Sequence, residues 1–317
     1  GGGGGGGARA GGGECAPLGQ PRALAAPPSG GGDDALDVHL AGDVERVLEV
    51  ADALIDAHAD SEAVALLATR WPDDGRVVRE AGVPHPNRHP IVWLYRAFAE
   101  QRAGIDPTAT LDIALALPLG YVFPNRPRER EVLEWAQRLR PRDPSIGYLL
   151  GMLAMQRGEV ERAVNLWGHV VNGRPTGIPG LYRNLGYAAL LTGNLALAAD
   201  VFAKGTRAEP SNPAVWVGND SLLQLTGKSP AERVAQLDRY PDKAGMPSAL
   251  VYRYARLLAA AGRFDDADAL FADRFFSRVE GGINPRAEWI GVRLARAEAL
   301  AVAGKCGEAR KVLRGLA

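Results

Sequence analysis

The stretch LGMLAMQRGEVERAVNLW at 150–167 decides the fold, because it returns as LGYAALLTGNLALAADVF at 185–202, a step of 35 residues. Leu150-Gly151, Gly158, Ala163, Trp167 and Pro175 are answered by Leu185-Gly186, Gly193, Ala198, Phe202 and Pro210. A period of about 20–50 residues marks a stacked array, in which each unit buries its apolar face only against its neighbours. Arrays of this kind bind other molecules far more often than they do chemistry, so the repeat bounds the function as well as the fold.

Working outward from the echo, apolar residues at three- and four-residue spacing predict helix pairs near 145–157 with 160–172 and 180–192 with 195–208. Further pairs follow near 213–226 with 230–239, 247–261 with 264–272, and 286–303 with 306–315. Each first helix runs into Gly158, Gly193, Gly227, Gly262 or Gly304. Glycine there supplies the left-handed residue that ends a helix and turns the chain back. Ala163, Ala198, Ala267 and Ala309 stand five residues after their glycines, where a small side chain lets paired helices approach. No stretch alternates apolar and polar as a sheet requires. The expected fold is all-α, a right-handed α-solenoid.

Upstream, Val44, Val47, Leu48, Ala51, Leu54 and Ile55 predict a helix with Asp43 as its N-cap. Ala63, Leu66 and Leu67 mark a short partner helix, which Trp71-Pro72 stops. The Pro- and Gly-rich segment 73–90 reads as a long loop. Helices follow near 90–103, 107–117 and 127–140, with an aromatic, proline-containing loop, Tyr121-Val-Phe-Pro-Asn-Arg126, between the last two. Three regions result: a Gly/Ala/Pro-rich linker at 1–32, an atypical helical region at 33–140, and the repeats at 141–317. The linker is too poor in apolar surface to offset its ordering entropy. Its glycine run has no following GK[ST] and no preceding strand, so it is not a phosphate loop.

Charge narrows the partners. Lys plus Arg equals Asp plus Glu at 37 each, so no basic excess points to nucleic acid or to an anionic membrane. No apolar run approaches the roughly 18 residues that span a bilayer. Cys15 and Cys306 form neither a disulfide framework nor a CxxC metal pair, which fits a reducing compartment and a cytoplasmic location. The chain opens on Gly, and we read it as the C-terminal piece of something longer.

At these residues the chain resembles the tetratricopeptide repeat family, from about Asp143 to Ala317. The match is strong in two units and eroded after them: Asn219-Asp220 replaces the Leu-Gly pair, and Glu232 stands where alanine belongs. A second resemblance covers roughly 40–317. The order His89-Pro-Ile-Val-Trp-Leu-Tyr, Tyr121-Val-Phe-Pro-Asn-Arg, Val132-Leu-Glu-Trp, Gly227-Lys-Ser-Pro-Ala-Glu-Arg, Arg274-Phe-Phe and Glu280-Gly-Gly is similar to a bacterial family of unknown function. Its members carry an upstream β-rich, mutarotase-like domain, so this resemblance implies a helical accessory region of a carbohydrate-active protein. Ile283-Asn284 departs from that family's longer Glu-Gly run.

The tetratricopeptide resemblance implies a groove lined by first helices. Counted from the glycines, that groove includes Tyr148, Met152, Arg183, Asn184, Tyr187, Tyr252, Arg253 and Arg256. Aromatics with Arg and Asn make a surface suited to binding hot spots, although such residues more often pack against an adjacent unit or stay solvated. The family's two-carboxylate clamp is matched only at Asn184: Tyr148, Met152, Ala214 and Gly218 stand where Lys, Asn and basic residues are wanted. The loops at Phe123, Asn125 and Arg126 and at Glu280, Gly281 and Gly282 are candidate interdomain contacts. His85 and His89 have metal-like spacing but no completing ligand, and read as loop histidines. Glu100, Glu129, Glu131 and Glu134 read as solvated ion-pair partners on helices. No nucleophile stands in a catalytic turn. The expectation is a non-catalytic scaffold without cofactor or metal, whose partner is a protein, a peptide or an upstream domain of its own polypeptide; oligomeric state is left open.

Overall fold

The computed structural model describes residues 43–73, 82–173, 177–276 and 282–316, and the linker expected at 1–32 lies outside them. Every regular element among the described residues is helical. The first region holds α1 (Val44–Asp56), α2 (Asp60–Ala68), a 3-10 turn (Pro86–Arg88), α3 (Pro90–Arg102), α4 (Thr108–Ala116) and α5 (Pro127–Leu139). Helix α3 is its hub, packed against α1, α2, α4 and α5. Its Tyr95, Ala97 and Ala99 are fully buried.

The repeats follow as antiparallel pairs: α6 (Pro144–Gln156) with α7 (Val160–Asn172), α8 (Leu181–Leu191) with α9 (Leu195–Ala208), and α10 (Pro213–Leu225) with α11 (Pro230–Leu237). Two more pairs are α12 (Ser248–Ala260) with α13 (Phe264–Ala269), and α14 (Pro285–Val302) with α15 (Cys306–Arg314). Each pair packs on the next, and the result is an all-α solenoid of antiparallel helix pairs.

Local chemistry sets the ends of these helices. Proline occupies the first turn of α3, α5, α6, α10, α11 and α14, where its missing N–H costs nothing. Asp143 accepts the N–H groups of Ser145 and Ile146, and Ser229 and Glu232 form a reciprocal capping box. The expected glycines turn left-handed, with φ of 75°, 71°, 73°, 76° and 74° at Gly158, Gly193, Gly227, Gly262 and Gly304. At the first of them Glu159 N donates to Ala154 O at 2.8 Å, the long-loop bond of a Schellman motif. Helix α13 stops at Ala269, short of the expected 272.

One interlock holds the first two repeats. Seven residues before the helix-ending glycine stands Gly151 or Gly186, and nine residues after it stands Trp167 or Phe202. A Cβ on Gly151 would sit 2.2 Å from the Trp167 indole nitrogen, and one on Gly186 would sit 2.4 Å from the Phe202 ring. The glycine is therefore the socket of its partner aromatic. Phe202 also reaches forward: a Cβ on Gly218 of α10 would lie 2.3 Å from the same ring. Trp167 adds a bond from its indole N–H to Tyr148 O at 3.0 Å.

In the third repeat the same register carries Asp220 in the socket and Gln236 in place of the ring. Asp220 is fully buried and accepts Arg233 Nε and Nη2, each at 2.8 Å, and Arg253 Nη1 from the next unit at 2.5 Å. A charge-assisted clamp replaces the aromatic lock. The fourth and fifth sockets hold Ala255 and Ala297, both buried. The erosion of the motif in sequence is thus a change of fastening.

Candidate functional site

The side chains expected in a groove divide into supports and presented groups. Tyr148 and Tyr252 are buried, which corrects their reading as binding surface. Tyr252 stacks with Phe271 and Phe276, at centroid distances of 6.4 and 5.5 Å. Arg253 is held by Asp220, and Arg256 makes a two-pronged pair with Glu288 at 2.6 Å on each prong. Those arginines fasten one unit to another, so the fourth unit offers little to a ligand. Met152 is half-buried against the core, and Tyr187 is half-buried with its ring edge-on to Phe202 at 5.7 Å.

Arg183 and Asn184 differ. Both Arg183 Nε and Nη2 donate to Asn184 Oδ1, at 3.0 and 2.8 Å. Asn184 Nδ2 donates to the Tyr148 hydroxyl at 3.4 Å, and that hydroxyl donates to Pro179 O at 2.8 Å. A hydrogen-bonded chain thus runs from a buried phenol on α6 to an exposed guanidinium on α8. Burial raises the Tyr148 phenol above its ordinary range, so it stays protonated and can donate. Arg183 is held in a defined orientation, and no acid pairs with it among the described residues.

The aromatic loop before α5 is the second presented feature. Its side chains alternate: Val122 and Pro124 are buried, while Tyr121 and Phe123 are 60% and 62% exposed. Asn125 is exposed and Arg126 half-buried. Tyr121 takes a left-handed φ of 57°, uncommon for an aromatic residue, and its ring lies against Gly82, where any Cβ would be 2.6 Å away. The loop is pinned from below. Glu129 accepts the N–H groups of Asn125 and Arg126, and Arg126 Nη2 donates to Glu45 O and Oε2, both at 2.8 Å. Gly282 is exposed, whereas Glu280 and Gly281 lie outside the described residues.

Beneath the loop sits a buried polar cluster that periodicity did not disclose. Glu129, expected on a solvated face, is 3% exposed there; Glu100, expected likewise, is buried elsewhere on α3, paired with Arg96 at 2.8 Å. Burial raises Glu129 to about 7 and also raises Asp52. Asp52 is ion-paired with Arg126 and Arg128, at 3.6 Å each, while the buried Arg126 Nε has no hydrogen-bond partner among the described residues. A carboxyl raised in this way favours the protonated fold, so its contribution is full below the unfolded value near 4.5 and is lost as pH rises toward 7. We expect wild-type stability to fall by roughly 3 kcal/mol across that window relative to Glu129→Gln, which keeps the acceptor and never ionises. Urea midpoints of both proteins at acid and neutral pH measure the difference; parallel profiles would refute the assignment.

Elsewhere the chemistry is structural. His85 and His89 are buried, and desolvation lowers His89 to about 4, so it is neutral. No group of three metal-ligating side chains exists among the described residues. No helix among them is long and apolar enough to cross a membrane. An open cleft of about 780 Å³ lies between α5 and α7, lined by Gln137, Arg142, Gly147, Asn165, Leu166 and His169. Its size suits a ligand of several residues. Of its two arginines, Arg162 is occupied by Glu134 and Glu159.

No protein-family model and no curated protein matches the chain. Among solved structures it is similar to YrrB, described as a tetratricopeptide repeat protein with an unusual peptide-binding site. The two share 17% identity over 58% of this chain and 90% of that one, with a TM-score of 0.42. It is also similar to the C-terminal part of a repeat protein from Cytophaga hutchinsonii, at 15% identity over 84% and 94% of the two chains and a TM-score of 0.46. A tetratricopeptide repeat protein from Parabacteroides merdae is 15% identical over 86% and 91%, with a TM-score of 0.38.

Proposed function

We propose that this helical repeat is a non-catalytic scaffold that holds an extended segment of another polypeptide against its first helices α6 and α8. One observation carries the reading: the exposed Arg183 guanidinium is oriented by Asn184, and Asn184 by the buried Tyr148. A donor held in place before binding loses less entropy when it engages a carbonyl or carboxylate. Met152 and Tyr187, both half-buried, lie on the same two helices. The zero net charge argues for a protein partner over nucleic acid.

Peptides selected from a random display library on the full chain provide the test. Arg183→Ala is expected to weaken the selected peptides about tenfold or more, a loss of at least ~1.4 kcal/mol, with helicity unchanged. Affinity that survives both Arg183→Ala and Tyr187→Ala would sink the reading.

A second reading rests on Tyr121 and Phe123. Two exposed aromatics on one short loop suit docking onto a separate domain, including the carbohydrate-active one that the sequence resemblance implies. Phe123→Ala would then abolish interdomain contact and leave peptide binding unchanged.

A further inference from the structure

The open cleft of about 780 Å³ between α5 and α7 shares no lining residue with the chain of Tyr148, Asn184 and Arg183. Its origin is visible in the repeat register. The eleventh residue before the helix-ending glycine is Gly147, Tyr182, Trp216, Val251 and Arg293 in the five repeats, so the first alone places no side chain there. In the second repeat Tyr182 lies against Gly205 of α9, where an added Cβ would be 2.8 Å from the Tyr182 Cβ. In the first repeat the sizes are exchanged. Gly147 meets Val170 of α7, and a Cβ on Gly147 would sit 2.7 Å from a Val170 methyl. Valine keeps the contact but fills much less volume than a tyrosine. The bare backbone of α6 at Gly147 is thus left in the wall of the cleft.

The lining states what fits there. Leu166 and Val170 join Gly147 as its apolar part. Gln137 on α5 and Asn165 on α7 add two side-chain amides, neither with a hydrogen-bond partner among the described residues. Each amide offers donors and an acceptor, as a peptide group does. His169 donates its Nδ1–H to Asn165 O at 2.7 Å, which leaves Nε2 as a further acceptor. The charged groups are mostly engaged. Arg162 is held by Glu134 and Glu159, and Asp143 accepts the N–H groups of Ser145 and Ile146. Arg142 is exposed, and its guanidinium makes no ion pair or hydrogen bond with a described residue.

We infer that this cleft binds an extended segment of another polypeptide that carries an acidic side chain beside an apolar one. The carboxylate pairs with Arg142, whose planar fork matches it in two parallel bonds. The apolar side chain covers Leu166 and Val170 beside Gly147. Gln137 and Asn165 take the main-chain groups. The volume falls within the roughly 300–1,000 Å³ of ligand pockets, so a few residues enter and the open cleft lets the segment continue. The site does not depend on the one proposed on α6 and α8.

The probe is an acetylated and amidated peptide of about six residues, roughly 20 Å when extended, built of leucine and glycine around one glutamate. The glutamate is its only charge, and a twin carries glutamine in its place. Calorimetric titration of the full chain is expected to show the glutamate peptide binding about tenfold or more tightly than its twin. Arg142→Ala should remove that preference and leave the glutamine peptide unchanged. Asn165→Trp, which fills the cleft from an exposed position, should weaken both peptides, while Arg183→Ala should weaken neither. Circular dichroism checks the fold of each variant. Equal affinity for the two peptides, affinity untouched by Arg142→Ala, or no saturable binding up to about 1 mM overturns the proposal. So does binding lost in Arg183→Ala and kept in Asn165→Trp, because it would assign the peptide to α6 and α8.

Discussion

Replacing Asp220 with alanine is expected to cost about 3–5 kcal/mol of folding stability. The carboxylate is fully buried and neutralises Arg233 and Arg253 together. Arg233 is itself only 13% exposed, so the lost partner is not replaced by bulk water. An uncompensated buried charge costs far more than the pair contributes. Two controls separate charge from packing. Asp220→Asn keeps the shape and one good acceptor, and should cost less. Arg253→Ala removes the half-exposed partner and leaves the Arg233 pair intact, with an expected loss of about 1–2 kcal/mol. Urea unfolding of the three variants ranks them, and an Asp220→Ala protein as stable as wild type would show that the clamp contributes nothing. Because Arg253 comes from the following unit, the loss should also loosen α12 relative to α10, readable as faster amide exchange in α12.

The second large effect is at Phe202. Its ring is fully buried between Gly186 and Gly218, so Phe202→Ala should cost about 3–5 kcal/mol through lost burial and the cavity left behind. The sockets give a sharper test. Gly218→Ala inserts a methyl group 2.3 Å from the ring, and overpacking of this kind costs roughly 1–3 kcal/mol. In a Phe202→Leu background the ring edge is gone, and the same methyl group should be tolerated. The two substitutions are therefore expected to couple by more than about 0.5 kcal/mol in a double-mutant cycle. Strict additivity would mean that the contact does not constrain the pair.

Much of this architecture was legible in the sequence. The five glycines that end first helices were read as left-handed and adopt that conformation. The alanines Ala163, Ala198 and Ala267 are fully buried where close approach was expected. Those features are local, because capping and φ preferences act within a few residues. What escaped the sequence is relational. Periodicity locates a helix face relative to its own axis and does not say which neighbour covers it. Tyr148 and Tyr252 were thus read as binding surface, and each is buried against a neighbour. Asp220 read as erosion of the Leu-Gly pair, because its two arginines are 13 and 33 residues away. Glu129 resembles any glutamate on an Arg-rich helix until the loop folds over it. Of the candidate binding residues, Arg183 and Asn184 form a hydrogen-bonded pair with Arg183 exposed, while Arg253 and Arg256 pair with acids of neighbouring units.

We propose that a partner polypeptide lies across α6 and α8, and amide hydrogen exchange on the full chain, with and without a library-selected peptide, locates it. Slowed exchange is expected in 146–152 and 181–190 on peptide addition, lost in Arg183→Ala, with the loop at 121–126 unchanged. Protection confined to that loop, or protection that persists in Arg183→Ala, would contradict it.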